Sequence, residues 1–308
     1  MKEEDLNYER GWRFVRQQLH HWSKDLQSSI GFLTRLPWPW QTSPHKEHNI
    51  DVDTGIYPNP NSNNNTESLN TESDSLADNF TSSGEKKLVL GQAVRAFPVV
   101  GLFIGLASGV IFAISSGLGL PAIVSALIAI AIGTLLTGAL HEDGLADTAD
   151  GFGGGRSKND KLAVMKDSRI GAYGVLALLL VIAIKVGAIA DLETIGETMC
   201  ALIAAGATSR ALMPTLMHWL PPARIGGLSA MAGKPEKKHV FTGLSIAIVI
   251  SLILLGWPAI IALLAAGTGA LIVASIAQKQ IGGQTGDVLG ATQQVSELFF
   301  LLALAAVL

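Results

Sequence analysis

Residues 141–151 of the chain read HEDGLADTADG, and they follow about twenty residues that carry almost no charge. Asp143, Asp147 and Asp150 stand at positions i, i+4 and i+7, so on an α-helix they fall on one face. Three carboxylates on one face repel one another, and a divalent cation would turn that repulsion into coordination. Oxygen ligands suit Mg²⁺, Mn²⁺ or Ca²⁺ better than Zn²⁺. The stretch therefore predicts a Mg²⁺ site that binds phosphate groups; the alternative is a solvated helix end after a membrane span.

The composition indicates an integral membrane protein. Charged residues make up 15% of the 308 residues and the mean hydropathy is +0.39, whereas a soluble domain carries about 25% charged residues. The formal net charge is −3 and no basic, aromatic-rich patch is present, so we expect no nucleic-acid partner. The single cysteine, Cys200, excludes an intramolecular disulfide. The acidic N-terminus lacks an apolar stretch behind it, so we expect no cleavable signal peptide.

Seven apolar runs follow residue 88, each near the length that crosses a bilayer. They occupy residues 97–117, 121–140, 170–190, 198–218, 240–256, 258–277 and 288–308. Lys and Arg concentrate in alternate connections, which the positive-inside rule places in the cytoplasm. The fold class predicted is therefore all-α: a polytopic membrane bundle of about seven transmembrane helices. Arg210 lies inside a run, so it should face the bundle interior or a water-filled site.

Three regions are expected along the chain. Residues 1–40 form a polar segment with a short apolar helix beside Trp and Arg residues, which indicates an interfacial helix or, equally, a helix packed on the protein. Residues 41–87 are rich in Asn, Ser, Thr and Asp and predict a disordered insert. Residues 88–308 form the transmembrane catalytic domain.

Two further polar motifs fall on the side that carries the acidic stretch. In residues 165–174, Asp167 could join the carboxylates while Lys166 and Arg169 neutralise phosphate oxygens. The alternative is a basic flank with an N-capping Asp or Ser. A Gly-rich loop that enters the last run could offer backbone N–H groups to an anion, or be a simple turn. Its residues are Gly282, Gly283, Gln284, Thr285 and Gly286. Asp287, which follows, could be a metal ligand or a general base.

The remaining candidates are Arg210, His141 and the stretch 224–228. Arg210 could bind a phosphate or pair with an aspartate, His141 could be a base or only a helix-end residue, and 224–228 predicts a mobile loop over the site. Together these groups suit transfer of a phosphorylated group, in which Mg²⁺ bridges a diphosphate and a base activates a hydroxyl. No P-loop motif is present, so we do not expect ATP hydrolysis to drive the reaction.

The motifs closely resemble the cobalamin synthase family, also called adenosylcobinamide-GDP ribazoletransferase. The resemblance lies in residues 141–151, 167–171 and 282–290, and residues 32–37 and 97–101 are similar to the family's N-terminal start and first span. It implies transfer of the adenosylcobinamide phosphate from adenosylcobinamide-GDP to α-ribazole or its 5′-phosphate, with release of GMP. It also implies a Mg²⁺ requirement, a place in nucleotide-loop assembly of cobalamin, and an inner-membrane enzyme whose active site faces the cytoplasm.

The resemblance also implies roles for individual residues. The ligands of Mg²⁺ on the diphosphate would be Asp143, Asp147 and Asp150. The groups that complete the coordination or act as base would be Asp167 or Asp287. The phosphate-binding cations would be Lys166, Arg169 and Arg210. The expected partners are the two substrates and the lipid bilayer, while homo-oligomerisation and association with other cobalamin-assembly enzymes stay open.

Two other classes of protein compete with this interpretation. A CDP-alcohol phosphotransferase also carries several aspartates on helices at a membrane face. Its pattern needs an Asp and an Arg where this chain has Leu140 and Thr148. A cation-coupled transporter would place its carboxylates near mid-bilayer and show an internal repeat. Here the charges lie at the ends of the apolar runs and no repeat is evident, so both alternatives rank below the synthase.

Overall fold

The computed structural model describes residues 20–35, 91–224 and 228–308. All regular elements in these ranges are helices, apart from one isolated bridge between Pro222 and Gln284. The predicted insert at 41–87 lies outside the described residues, as does most of the segment 1–40.

We number the helices of the described ranges in chain order. They are α1 (20–33), α2 (Phe97–Gly117), α3 (Ala122–Thr137), α4 (Leu140–Gly154), α5 (Lys158–Val164), α6 (Ala172–Ala190), α7 (Ile195–Trp219), α8 (Leu228–Ala232), α9 (Lys237–Leu255), α10 (Pro258–Ile281) and α11 (Gly286–Ala305). A turn of 3₁₀-helix, Val94–Ala96, leads into α2.

Six helical segments of the described chain are long and apolar enough to cross a membrane, and the predicted all-α polytopic bundle is confirmed. They are α6, α7, α9, α10, α11 and the segment Gly91–Gly117 that contains α2. α3 and α4 pass the same test only as a pair bent by 92°, which would make a seventh span. The apolar run 121–140 is therefore not one straight span. α3 has 16 residues and is about 24 Å long, which is short of a hydrocarbon core of about 30 Å.

The bend between α3 and α4 comes from two consecutive residues in the left-handed region. Gly138 has φ 62° and Ala139 has φ 58°, and Ala139 is the one described residue other than glycine with a positive φ. A side chain at that backbone conformation costs about 1–3 kcal/mol, so the surrounding structure must hold it. A Cβ on Gly138 would collide with the Arg35 side chain. Arg35 in turn donates its backbone N–H to the Leu136 carbonyl at 3.0 Å.

α7 and α11 form the centre of the bundle. Within the apolar windows of these two helices, 72% and 67% of the residues are buried, against 28–50% in the other candidate spans. α2 crosses α7 through glycines: a Cβ on Gly101 would collide with the Gly206 carbonyl, and one on Gly105 would collide with that of Leu202. Small residues at such crossings let helix backbones approach closely in a membrane.

The N-terminal helix α1 packs on the bundle. Leu33 is fully buried, and Asp25 forms an ion pair with Arg95 at 2.5 Å. The Arg95 guanidinium also lies 4.5 Å from the centre of the Trp22 ring. These contacts fix the entry into α2, while an interfacial position of α1 stays a prediction.

Candidate functional site

The acidic stretch forms α4, and α4 meets α11 at a crossing of two glycines. A Cβ on Gly144 would lie 2.8 Å from the Asp287 carbonyl oxygen and 3.1 Å from the Gly290 Cα. A Cβ on Gly290 would lie 3.2 Å from the Gly144 Cα. Neither glycine can accept a side chain unless a backbone moves. The crossing therefore sets the first turn of α11, which carries Asp287, against the acidic helix.

Four carboxylates interact electrostatically at this crossing. The charges of Asp143, Asp150 and Asp287 all act on Asp147, and the charge of Asp143 also acts on Asp287. Asp143 is exposed and Asp147 is half-buried, so the group reaches the surface. The structure thus brings together the aspartates of the acidic stretch and Asp287, which lies more than a hundred residues later in the chain.

Asp150 differs from the other three because both of its carboxylate oxygens accept backbone N–H groups. Its Oδ2 accepts the Gly171 N–H at 2.7 Å and its Oδ1 accepts the Gly174 N–H at 2.9 Å. These bonds cap the N-terminus of α6, where Gly171 has no side chain to do so. A Cβ on either glycine would collide with the carboxylate. Metal ligation by Asp150 stays a prediction, and its contacts in the structure are those of a helix cap.

The Gly-rich loop pairs with the loop that follows α7. The Gln284 N–H donates to the Pro221 carbonyl at 2.9 Å, and the Ala223 N–H donates to the Gln284 carbonyl at 2.8 Å. A Cβ on Gly283 would collide with the Pro221 carbonyl. Of the five predicted anion-binding residues in this loop, Gln284 and Gly283 are thus engaged with the neighbouring loop. Thr285 caps α11 by accepting the Val288 N–H at 3.3 Å.

The pairing of these two loops places Arg224 beside the carboxylates. Arg224 Nη2 lies 3.4 Å from Asp287 Oδ2, and each side chain is 20% exposed. The charge of Arg224 also acts on Asp147. Among the described residues, Arg224 is the one cation whose charge acts on both of these aspartates. Of the rest of the predicted mobile loop, residues 225–227 lie outside the described residues and Leu228 begins α8.

The cations predicted in the stretch 165–174 lie in an exposed turn. Arg169 Nη2 is 2.8 Å from Asp167 Oδ2, with 87% and 39% of the side chains exposed. Hydrogen bonds from the Arg169 side chain and backbone lower the pKa of Asp167 to about 2. Lys166 is exposed on the same turn. Asp167 is absent from the carboxylates that act on Asp147 and Asp287. The structure therefore does not bring this turn to them, and the phosphate-binding and catalytic roles of its residues stay predictions.

Arg210 and His141 face the interior of the bundle. Arg210 is 3% exposed and donates from Nη1 to the Gly206 carbonyl at 3.2 Å. This confirms that Arg210 points inward, where its carboxylate neighbours are Glu142 and Glu297 and not the aspartates. His141 is 1% exposed, and neither of its ring nitrogens has a partner among the described residues. The structure does not bring either residue to the carboxylate face, and their catalytic roles stay predictions.

Sequence reasoning missed a charged network inside the membrane-spanning part. Lys185 Nζ donates to Glu297 Oε2 at 2.5 Å and to Gln294 Oε1 at 2.7 Å. Gln294 Nε2 donates to Glu142 Oε1 at 3.0 Å, and that oxygen also accepts from Thr134 Oγ1 at 3.0 Å. The network ties α4 to α3, α6 and α11. The signal that could have found it was a charge inside an apolar run, at residues 185 and 297.

A cavity of about 50 Å³ lies within this network, lined by Glu142, Lys185, Arg210 and Glu297 among others. Glu142 Oε2 and Arg210 Nε are buried without a hydrogen-bond partner in the described part of the chain. A polar cavity of this size has room for water molecules that satisfy such atoms.

The donor chemistry of the carboxylate face fits a magnesium ion, whereas the side chains as placed do not enclose one. Over the described residues, no group of three His, Cys, Asp or Glu side chains is close enough to hold a metal ion. Arg224 acts on Asp147 and Asp287, and Asp143 acts on both of these aspartates. Three ionised carboxylates against one guanidinium leave an excess of two negative charges. One divalent cation would balance that excess, and it would draw the three carboxylates together.

Comparison with known proteins agrees on one family. The family described as cobalamin-5-phosphate synthase matches residues 80–305. A protein of Bradyrhizobium diazoefficiens named adenosylcobinamide-GDP ribazoletransferase is 46% identical over 218 residues, which cover 70% of this chain and 84% of that protein. Proteins of the same name from Sinorhizobium medicae and Rhizobium etli are 45% and 41% identical over 227 residues, covering 70% and 71% of this chain and 86% and 87% of those proteins. No solved structure matches the chain.

Proposed function

Because the chain belongs to the cobalamin-5-phosphate synthase family, we propose that it transfers the adenosylcobinamide phosphate of adenosylcobinamide-GDP to α-ribazole or α-ribazole 5′-phosphate. The products are GMP and adenosylcobalamin or its 5′-phosphate. The observation that supports this best is the α4–α11 crossing, which sets Asp287 and Arg224 beside Asp143 and Asp147. Carboxylates and a guanidinium on one membrane-protein surface suit a diphosphate substrate.

The chemistry is a substitution at phosphorus. A ribose hydroxyl of the acceptor, the 3-hydroxyl in our proposal, forms a bond to the phosphorus attached to the corrinoid. The bond from that phosphorus to the oxygen bridging to GMP breaks, and GMP leaves with the electron pair. When bound at Asp143, Asp147 and Asp287, Mg²⁺ would neutralise diphosphate oxygens. The hydroxyl proton passes to a carboxylate of the same face.

Asp287 is held in place for such a role by its own turn. Thr285 Oγ1 donates to Asp287 Oδ2 at 3.1 Å, and the same hydroxyl accepts the Val288 N–H at 3.3 Å. Together with Arg224, these contacts hold the Asp287 carboxylate at the start of α11 before any substrate binds. Preorganised charges of this kind stabilise a transition state without reorganisation during the reaction.

We further propose that the site lies at the cytoplasmic face of the inner membrane. The support is the charge of the connections: Lys and Arg are concentrated in 155–171 and 220–239, which flank the carboxylate face, whereas the turns near 118–121 and 191–194 contain none. By the positive-inside rule the basic connections lie in the cytoplasm. Labelling of single cysteines placed at the exposed Arg156 and Asp191 positions, in a Cys200→Ser background, would test this orientation.

Product formation by the purified protein in lipid vesicles tests the proposal directly. We would supply adenosylcobinamide-GDP and α-ribazole 5′-phosphate, with and without Mg²⁺, and separate the corrinoids and nucleotides by chromatography. Release of the coupled corrinoid and of GMP in equal amounts, only when Mg²⁺ is present, is the expected result. Well-folded protein that releases neither product would reject the proposed reaction.

A further inference from the structure

Arg224 is the cation that the tertiary structure adds to the carboxylate face, and we infer that it binds the diphosphate of the nucleotide substrate. The inference rests on the proposed function and names a phosphate-binding residue for that site. The expected cations of the site were Lys166, Arg169 and Arg210. None of these contributes to the charges that act on Asp147 or Asp287.

The backbones of the two paired loops, the one after α7 and the one before α11, fix the position of Arg224. Two prolines, Pro221 and Pro222, limit the backbone freedom of the loop. The two backbone hydrogen bonds between Pro221–Ala223 and Gln284 then hold it against the start of α11. The absence of a side chain at Gly283 makes that approach sterically feasible. An arginine held in this way loses little conformational entropy when it binds an anion.

The Arg224 guanidinium has N–H donors that its contact with Asp287 does not occupy. Its contact with Asp287 is 3.4 Å long, whereas charge-assisted N–H···O⁻ bonds in strong pairs measure about 2.7–2.9 Å. Its Nη1 is buried and has no hydrogen-bond partner within the described residues. Arg224 therefore lies beside the carboxylates without a close bidentate pair, and it can present parallel N–H groups to a second anion.

A divalent cation bound by the same aspartates would lie near Arg224. An anion that reaches both cations would be attracted by each of them. The oxygens of a nucleoside-diphosphate ester supply negative charge and can contact both cations at once. As the bond between the two phosphates breaks, negative charge grows on the departing phosphate, and a guanidinium bound to the diphosphate stabilises that charge.

Arg224→Lys and Arg224→Ala test the inference, with Arg156→Lys at an exposed position as the matched control. Arg224→Lys keeps the charge and removes the fork, so the KM for adenosylcobinamide-GDP should rise by about 10-fold or more. Arg224→Ala should lower kcat/KM for that substrate by about 100-fold. The KM for the acceptor should stay within about 2-fold of wild type, since the inference places Arg224 on the donor, and Arg156→Lys should behave as wild type.

Two further measurements distinguish binding of the donor's diphosphate from binding of the acceptor's 5′-phosphate. Assays with α-ribazole, which lacks the 5′-phosphate, should show the same loss; a loss confined to α-ribazole 5′-phosphate would assign Arg224 to the acceptor and overturn the inference. Calorimetric titration with inorganic diphosphate and Mg²⁺ should show weaker binding in both Arg224 variants. Unchanged diphosphate affinity and unchanged KM in Arg224→Lys would also overturn the inference. If Arg224→Ala does not fold, the result for Arg224→Lys alone decides.

The same experiment keeps the two proposals distinct. If the wild type forms no coupled corrinoid, the proposed function fails, while the diphosphate titration still reports on Arg224. If the wild type is active and both Arg224 variants match it, the function stands and the inference fails.

Discussion

Gly144 of α4 and Gly290 of α11 lie in backbone contact, since a Cβ on Gly144 would be 3.1 Å from the Gly290 Cα and one on Gly290 would be 3.2 Å from the Gly144 Cα. This contact has a functional consequence, because the same Cβ on Gly144 would lie 2.8 Å from the carbonyl oxygen of Asp287. The glycine contact therefore sets the distance between the acidic helix α4 and the first turn of α11, which carries Asp287.

The first prediction follows from that contact. Gly144→Ala and Gly290→Ala should each destabilise the protein by about 1–3 kcal/mol, because overpacking forces the backbones apart. They should also lower activity, because Asp287 moves away from Asp143 and Asp147. Thermal unfolding in detergent and product formation would measure both effects. Gly267→Ala is the matched control, since nothing lies within 4 Å of a Cβ there; equal behaviour of all three variants would show that the crossing has no special role.

The second prediction concerns the half-buried Asp147. Asp147→Asn keeps the shape of the side chain and removes its charge, so activity should fall by about 100-fold or more if the carboxylate holds Mg²⁺. The Mg²⁺ concentration that gives half-maximal rate should rise as well. Asp191→Asn, at an exposed position after α6, should leave both quantities unchanged. An Asp147→Asn enzyme with wild-type Mg²⁺ dependence would remove this residue from the proposed metal site.

The third prediction separates the two possible roles of Asp150. As a cap of α6, it accepts two backbone N–H groups, and Asp150→Asn can satisfy only one of them well. We expect the free energy of unfolding to fall by about 0.5–2 kcal/mol. The apparent Mg²⁺ affinity of the remaining active enzyme should not change. The reverse result, a stable protein with weakened Mg²⁺ dependence, would support metal ligation, as the spacing of the aspartates predicts.

The fourth prediction tests the charged network inside the bundle. Lys185→Met leaves Glu297 without its 2.5 Å partner, and loss of one partner of a buried pair costs about 3–5 kcal/mol. The double variant Lys185→Met with Glu297→Gln removes both charges and should regain most of that stability. Thermal unfolding of the single and double variants in detergent would measure the coupling. Additive losses would mean that the two residues do not stabilise each other.

Much of the fold could be predicted from the sequence because it depends on local properties. The lengths of the apolar runs predict membrane-spanning helices wherever the run can continue as one helix. The exception is the run 121–140, where Gly138 and Ala139 adopt left-handed conformations that turn the chain. Gly138 is a usual residue at the end of a helix and caps α3. An alanine has no intrinsic preference for the left-handed region, so nothing in the local sequence predicts that Ala139 continues the turn.

The candidate site, like the fold, could be predicted from the sequence only in part. The i, i+4, i+7 spacing was enough to predict a common face for Asp143 and Asp147, because helical periodicity determines which residues share a face. The same spacing could not show that Asp150 turns to Gly171 and Gly174, or that His141 and Arg210 face the interior. Those contacts depend on which helix lies beside α4, and periodicity carries no information about neighbours.

By itself, the sequence determined that this protein is a helical membrane protein with an acidic helix and the motifs of one enzyme family. Only the tertiary structure decided which charges meet. It brought Asp287 to the acidic helix through a glycine crossing, and Arg224 to Asp287 through the pairing of two loops. These contacts join residues that are far apart in the chain, so they follow from packing and backbone hydrogen bonds rather than from the spacing of side chains along one helix.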